Sequence, residues 1–293
     1  RSGIDAASRE LVEMVKEHHE DRRPLFAFFH TYEVHSPYLP PPSYRNLFGD
    51  FSSDLEPTSE ALLPLKTTAA EHLDADDLDF LVAMYDGGIR FADDVLRQMF
   101  EQLEEIGFFD RGIVFITSDH GEEFAEHGGL LHGISLYEEL LHVPLLITGH
   151  DIPAGVVDDA MVSTIDIAPS ILGVAGIEAP ASMAGRDLLT ESPEEAGRQA
   201  IFSQFRHLLY SIRTPRWKLI WDTRAKHLSL FDLDHDPREL DDVADQHPQL
   251  VRRLHRRLRA WRKSAPDLET AGRQDVELDT EQVEQLRELG YID

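Results

Sequence analysis

The chain has 293 residues and contains no cysteine, which excludes disulfide bonds, thiolate zinc sites and a cysteine nucleophile within it. It also lacks any stretch near the roughly 18 consecutive apolar residues of a membrane-spanning helix, so no membrane span is expected. The chain begins at Arg1 with neither a methionine nor an apolar leader, and we expect further sequence to precede it. Since 42% of the residues are hydrophobic, a large α/β domain and a smaller one can both have a buried core.

Positive charge is scarce. Acidic residues number 55 against 28 basic ones, and the net charge is −27. Phosphate backbones are held by lysine and arginine, so this balance argues against a nucleic-acid partner. An acidic protein that acts on an anionic ester must attract it locally, with a bound cation and converging histidine or arginine side chains.

Apolar runs and helical spacing indicate an α/β fold. Leu25–Phe29, Ile113–Thr117 and Val143–Thr148 have the pattern of buried strands. Between the first two, apolar residues recur at helical spacing from Leu78 to Ile106. Strand, helix and strand in this order predict a largely parallel central sheet flanked by helices.

The C-terminal part has a different pattern. Four short β-like segments followed by an amphipathic helix predict a smaller subdomain over 198–264, built from an antiparallel sheet and a packed helix. We expect the catalytic part to cover 1–190, a linker near Thr190–Gly197, and an acidic tail over 265–293.

The strongest concentration of polar side chains is SDHGEEFAEHGGLLHGISLYEE, Ser118–Glu139, directly after a predicted strand. In open α/β sheets, ligands bind at the carboxyl ends of strands. Asp119 and His120 are adjacent, and a carboxylate beside an imidazole suits a divalent cation. His127 and His132 follow on a glycine-rich loop, where ligating and catalytic groups tend to lie. The pattern predicts a metal site at Asp119 and His120.

A second cluster, HTYEVHSPYLPPP at His30–Pro42, also follows an apolar run. Both of its histidines could reach the same site, and His35 is the better candidate. In the C-terminal part, Arg213, Arg216 and Lys218 could meet an anionic substrate, but we interpret them as charges on an exposed strand.

In this order, the clusters resemble the sulfatase family of the alkaline phosphatase superfamily. The stretch H-x-Y-x-x-H-x-P-Y-x-P-P lies at 30–41, S-D-H-G-E at 118–122, E-H-G-x-x-x-H-G at 126–133 and L-Y-E-E at 136–139. The segment 212–243 is similar to the C-terminal subdomain of the family. The resemblance covers nearly the whole chain and implies an alkaline phosphatase-like fold and metal-dependent hydrolysis of sulfate esters.

The resemblance also implies roles for individual residues. Asp119 would be a metal ligand, and so would His120, at a position that is asparagine in some relatives. His35 would bind the ester oxygens or help to protonate the leaving group. His132 falls where many relatives carry a lysine that contacts the sulfate, and its imidazole could replace that lysine only when protonated. His127 would bind the substrate or support the residues that do.

The implied cofactors are one divalent cation and a formylglycine. Calcium is the first expectation, and His120 keeps manganese or zinc open. The formylglycine, made from cysteine or serine in a C/S-x-P-x-R motif, is the nucleophile of the family once hydrated. Neither this motif nor two further aspartate ligands occur before Phe26. We therefore expect a fragment of a longer enzyme, inactive by itself, whose substrate is a small anionic ester, with a sulfated carbohydrate favoured by analogy.

Three other functions stay open at this stage. The same metal and histidine set would suit a phosphodiesterase or phosphonate monoester hydrolase on the same scaffold. The chain could also be a non-catalytic binding protein that keeps the scaffold, or a metal-dependent phosphotransferase acting on a lipid or glycan.

Overall fold

The computed structural model describes residues 3–19, 23–51, 53–190 and 198–264. Its helices are α1 (Ile4–His19), α2 (Ser59–Leu62), α3 (Ala69–His72), α4 (Ala75–Glu105), α5 (Glu138–Leu141), α6 (Ile167–Val174) and α7 (Pro248–Ser264). Its strands are β1 (Ile113–Thr117), β2 (Glu123–Phe124), β3 (Leu130–Leu131), β4 (Leu145–Gly149), β5 (Ile201–Phe205), β6 (Leu209–Arg213), β7 (Trp217–Asp222) and β8 (His227–Asp232). Within these ranges, no helix combines the length and apolar character needed to cross a bilayer. The predicted acidic tail and all but Thr190 of the predicted linker lie outside the described residues.

The long helix α4 confirms the helical spacing of the sequence. It begins at a capping box, in which Asp77 N donates to Asp74 Oδ1 at 3.0 Å and Asp74 N donates to Asp77 Oδ2 at 3.4 Å. It ends before Gly107, whose φ of 77° lies in the left-handed region that glycine adopts most easily. Helix α1 packs along it, and the buried side chains of this contact are Val12, Val15, Met99 and Leu103. The chain therefore reaches β1 from a helix that α1 holds in place.

The described strands of the N-terminal part form two antiparallel pairs. β1 and β4 are neighbours and run antiparallel, with Ile113 opposite Gly149, and β2 and β3 form a second antiparallel pair. The reason is the connection: residues 118–144 contain only short elements, so no crossover helix carries the chain back to the start of β1. A parallel pairing is therefore not found among the described strands.

The predicted strand at Leu25–Phe29 is not a strand in the structure. Its backbone pairs with no strand within the described ranges, and Phe26 and Phe28 are 70% and 81% exposed. An apolar run favours extended backbone, but it becomes a strand only where a neighbour supplies the hydrogen bonds.

The C-terminal subdomain confirms the predicted antiparallel sheet with a packed helix. Strands β5, β6, β7 and β8 form a four-stranded antiparallel sheet in that order, and α7 lies against it. The buried core comprises Tyr210, Ile212, Leu219, Leu230, Leu254 and Leu258. Arg262 of α7 places its guanidinium 4.6 Å from the centre of the Tyr210 ring, so a basic side chain covers apolar surface here.

A small hydrophobic cluster joins the two parts of the chain. Leu136, just before α5, is buried together with Ile220 of β7 and Phe231 of β8. The C-terminal sheet therefore packs directly against the segment that follows the glycine-rich loop, and it helps to position that loop.

Candidate active site

A sharp turn after β1 presents the Asp119–His120 pair. The turn requires glycine at position 121, because a Cβ atom there would collide with the carbonyl oxygen of Glu139. Its N–H donates to Leu140 O at 2.9 Å, which fixes the turn to α5. The Asp119 side chain is 70% exposed, and its Oδ1 lies 3.7 Å from His120 Nε2. Both side chains of the predicted metal pair therefore lie at the carboxyl end of β1.

Three imidazoles from the two predicted clusters come together beside this turn. His120 and His132 stack with ring centres 3.9 Å apart, and the His35 ring lies 4.9 Å from that of His132 and 6.2 Å from that of His120. Each of the three offers a ring nitrogen, and these nitrogens lie within 4.8 Å of one another. The loops after the first apolar run and after β1 thus bring these three imidazoles together.

Glu122 is a buried acid in this site that the sequence patterns did not single out. Its Oε1 accepts a hydrogen bond from His132 Nδ1 at 2.9 Å, and its side chain is almost fully buried. A carboxylate that is hydrogen-bonded to an imidazole fixes the orientation of the ring. The S-D-H-G-E motif was the available signal, because it places this acid three residues after Asp119.

The His35 side chain is more buried than those of His120 and His132. Its Nδ1 donates to Ser36 O at 2.7 Å. Burial lowers the pKa of the His35 imidazole, the hydrogen bond to the Ser36 carbonyl opposes this effect, and the neighbouring His132 adds to the lowering. An open pocket here is lined by His30, Thr31, Tyr32, Val34 and His35 from one cluster, by residues 118–122 from the other, and by Tyr85 of α4.

The donors in the pocket fit a divalent cation. A largely exposed carboxylate oxygen of Asp119 lies beside an imidazole nitrogen of His120, and two further imidazoles are within reach. Carboxylate oxygen suits calcium and manganese, whereas imidazole suits manganese and zinc. The described residues thus provide candidate metal-binding groups.

The family model for Sulfatase matches residues 5–177, more than half of the chain and the whole of this site. The chain belongs to the sulfatase family. A second model, N-sulphoglucosamine sulphohydrolase, C-terminal, matches residues 126–264 and thus covers the four-stranded sheet and α7. Sulfatases are metal-dependent, in agreement with the cluster of donors described above.

Curated sulfatases resemble this chain over part of their length. Arylsulfatase K of Bos taurus is 35% identical over 184 residues, which is 57% of this chain and 34% of the bovine protein. Arylsulfatase K of Homo sapiens is 35% identical over 182 residues, with the same two coverages. The chain therefore spans about a third of the length of the curated relatives that it matches.

Solved structures confirm the alkaline phosphatase-like fold. One is BT4656 in complex with its substrate D-glucosamine-2-N,6-O-disulfate, with a TM-score of 0.68, 21% identity, and coverage of 88% of this chain and 69% of that one. Another is the phosphonate monoester hydrolase of Agrobacterium radiobacter, with a TM-score of 0.69, 23% identity, and coverage of 88% and 60%. At these identities the likeness concerns the fold.

His127 of the E-H-G motif lies away from the other three histidines. Its Nδ1 donates to Glu139 Oε1 at 2.7 Å, its Nε2 donates to Glu239 O at 3.1 Å, and its ring stacks on Tyr137 at 3.5 Å. Burial lowers the pKa of His127, but the hydrogen bonds to Glu139 and to the Glu239 carbonyl outweigh it, and the pKa is raised overall. Both ring nitrogens of His127 therefore form hydrogen bonds within the protein.

A buried charge network joins the L-Y-E-E motif to the C-terminal subdomain. Lys218 of β7 is fully buried, and its Nζ lies 2.8 Å from Glu138 Oε1 and 3.0 Å from Glu239 Oε1. Arg213 Nε donates to Glu138 Oε2 at 3.0 Å. The interpretation of Lys218 as a charge on an exposed strand is wrong, because two carboxylates from distant sequence positions neutralise it in the interior.

Proposed function

We propose that this protein hydrolyses sulfate esters with a bound divalent cation. The observation that carries the proposal is the convergence of His35, His120 and His132 beside Asp119 at the end of β1. Family membership supports the same reaction. Negative charge develops on the leaving oxygen during ester cleavage, and fixed donors aimed at that oxygen are the expected large contribution.

We propose Asp119 and His120 as the metal ligands that this chain provides. The exposed Asp119 carboxylate and the adjacent imidazole have the donor chemistry, and Gly121 locks their loop to α5. A bound cation would neutralise the oxygens of the ester. Calcium is the first expectation because the family resemblance implies it, whereas the imidazole of His120 keeps manganese or zinc in consideration.

His35 and His132 are proposed as the catalytic and substrate-binding residues. His132 is held by the buried Glu122 through its Nδ1, and its Nε2 can donate to an ester oxygen when the ring is protonated. His35 has the lowered pKa that burial produces, which makes it readier to release a proton to the leaving oxygen. We assign His127 a supporting role, because its ring nitrogens hold Glu139 and Glu239 in place.

The nucleophile is proposed to be a formylglycine supplied by a segment outside this chain. The chain would then contribute part of the metal site, the imidazole donors and the wall of the pocket. A sulfated carbohydrate is the proposed substrate class, because an exposed pocket with imidazole donors suits a polar anionic ester.

The proposal is tested with the complete gene product on an aryl sulfate and on a bis-aryl phosphate diester. We expect the higher kcat/KM on the sulfate, and a His132→Ala variant should lose most of it, whereas His142→Ala, at an exposed position, should keep it. A higher kcat/KM on the diester would reject the sulfatase proposal.

A phosphonate monoester hydrolase or phosphodiesterase is the second candidate. The observation in its favour is the fold likeness to the Agrobacterium radiobacter hydrolase, whose TM-score of 0.69 matches that of the sulfatase-substrate complex at 0.68. The same pair of substrates separates the two candidates.

A further inference from the structure

Two basic side chains from separate parts of the chain meet at the edge of the active site. Lys66 lies in the segment after α2, and Arg206 lies in the turn between β5 and β6. A Cβ atom placed on Gly133, next to His132, would lie 3.9 Å from Lys66 Nζ and 3.7 Å from the Phe205 ring. The Arg206 guanidinium lies 5.3 Å from the centre of that ring. Both cations therefore border the loop that carries His132.

Neither cation has an acidic partner within 4.0 Å among the residues that the structure describes, although the chain carries 55 acidic residues. Burial lowers the pKa of Lys66, and the positive charge of Arg206 lowers it further. The negative charge of Glu122 raises the pKa of Lys66, but this carboxylate is hydrogen-bonded to His132. Two like charges are thus held near each other without neutralisation, which is unfavourable unless an anion joins them.

The backbone fixes both positions. Lys66 O accepts a hydrogen bond from Leu130 N at 3.1 Å, so Lys66 is attached to β3, two residues before His132. Arg206 and His207 have φ values of 46° and 59°. Such turns favour Asn and Gly, and each non-glycine residue in this region costs on the order of 1 kcal/mol. The choice of an arginine there is not explained by the turn itself.

We propose that Lys66 and Arg206 form a second anion subsite that binds a second sulfate group on the same sugar as the ester being cleaved. Lysine would supply a point charge and arginine a planar fork of donors that matches sulfate oxygens. The inference rests on the proposed function and narrows its substrate class to sugars carrying two sulfate groups.

The test is equilibrium binding, by calorimetry, of glucosamine-2-N,6-O-disulfate and of glucosamine-2-N-sulfate to the full chain. We expect the wild type to bind the disulfate more tightly. Lys66→Ala and Arg206→Ala should each reduce this preference about three- to tenfold, since a partly exposed charge-assisted contact is worth that much. Lys66→Arg should retain most of it. Arg224→Ala, which removes an exposed cation from the neighbouring β7–β8 turn, is the matched control and should leave the preference unchanged.

Equal binding of the two sugars by the wild type, binding of neither, or an unchanged preference in both alanine variants would overturn the subsite. Hydrolysis of the two sugars by the complete gene product is measured in parallel. Cleavage without a charge-dependent preference would leave the sulfatase proposal standing and reject the subsite. A preference lost in the alanine variants, without any cleavage of sulfate esters, would support the subsite and reject the sulfatase proposal.

Discussion

At the scale of single residues, the site depends on side chains whose neighbours define their chemistry. His132 is held by the buried Glu122, whereas His35 donates to a backbone carbonyl in a drier place. The same residue type therefore has two different environments within one pocket: a carboxylate orients the His132 ring, whereas burial lowers the pKa of the His35 imidazole.

Replacing Asp119 by asparagine should weaken binding of Ca²⁺ or Mn²⁺ to the full chain. Removing a group that only hydrogen-bonds to a metal ligand already lowers the metal affinity at least about tenfold. Removing the ligand itself should therefore lower it by no less. Calorimetric titration of each metal measures this change.

The matched control is Asp151→Asn, because Asp151 and His150 form a second exposed Asp–His pair, with Oδ2 3.3 Å from Nε2. We expect the control to bind metal as the wild type does. Equal affinities of the Asp119 variant and the wild type would reject Asp119 as a ligand.

His127→Gln should change how stability depends on pH. A histidine whose folded-state pKa is raised adds stability that is fully present below its unfolded pKa of about 6.5 and is lost as the pH rises through the folded pKa. The stability difference between wild type and variant should therefore be larger near about pH 5.5 than near about pH 8.5.

Urea denaturation at the two pH values measures this difference. His142→Gln, at an exposed position, is the control and should show no such pH dependence. A difference that grows towards high pH would contradict the assignment of His127 as a charged double donor.

At the scale of elements, the two parts of the chain meet through α5. On one side of α5, Leu140 O accepts the hydrogen bond from Gly121 in the turn that carries Asp119. On the other side, Glu138 forms an ion pair with Lys218 of β7. Glu239 completes the contact, because its Oε2 accepts the N–H of Glu138 at 2.6 Å. A helix of four residues is thus fixed by contacts rather than by its own stability.

Lys218→Met should destabilise the protein by about 3 kcal/mol, because it leaves Glu239 buried without its cation. Adding Glu239→Gln should restore part of the loss, since the uncompensated charge then disappears. Urea denaturation measures both effects. Lys226→Met, at an exposed turn of the same sheet, should cost little, and a cost equal to that of Lys218→Met would contradict the argument.

Local patterns predicted most elements, but long-range contacts escaped them. The spacing from Leu78 to Ile106 predicted α4, and the two histidine clusters that follow apolar runs led to the expectation of a shared site for His35 and His132. The burial of Lys218 was not predictable, because its partner Glu138 lies 80 residues away along the chain. The direction of β4 also depends on its connection, which an apolar run does not encode.

At the scale of the whole molecule, negative charge is in large excess. A net charge of −27 produces self-repulsion that opposes the compact state, and salt screens such repulsion. We expect the thermal midpoint of the full chain to rise when sodium chloride is increased from low to moderate concentration. Potassium chloride should give the same gain if screening is the cause. An unchanged or lower midpoint would show that local ion pairs outweigh the net repulsion.

The contact of Gly121 with α5 has a consequence for protein engineering. The loop that carries Asp119 is fixed to α5, and the carboxylate of Glu138 in α5 is neutralised by a lysine of the C-terminal sheet. A chimera that exchanged residues 198–264 for the corresponding part of another protein would therefore disturb the geometry of the proposed metal ligands. Such a chimera would need to retain the lysine of β7 and the glutamate at position 239, so the boundary between the two parts is a poor place for recombination.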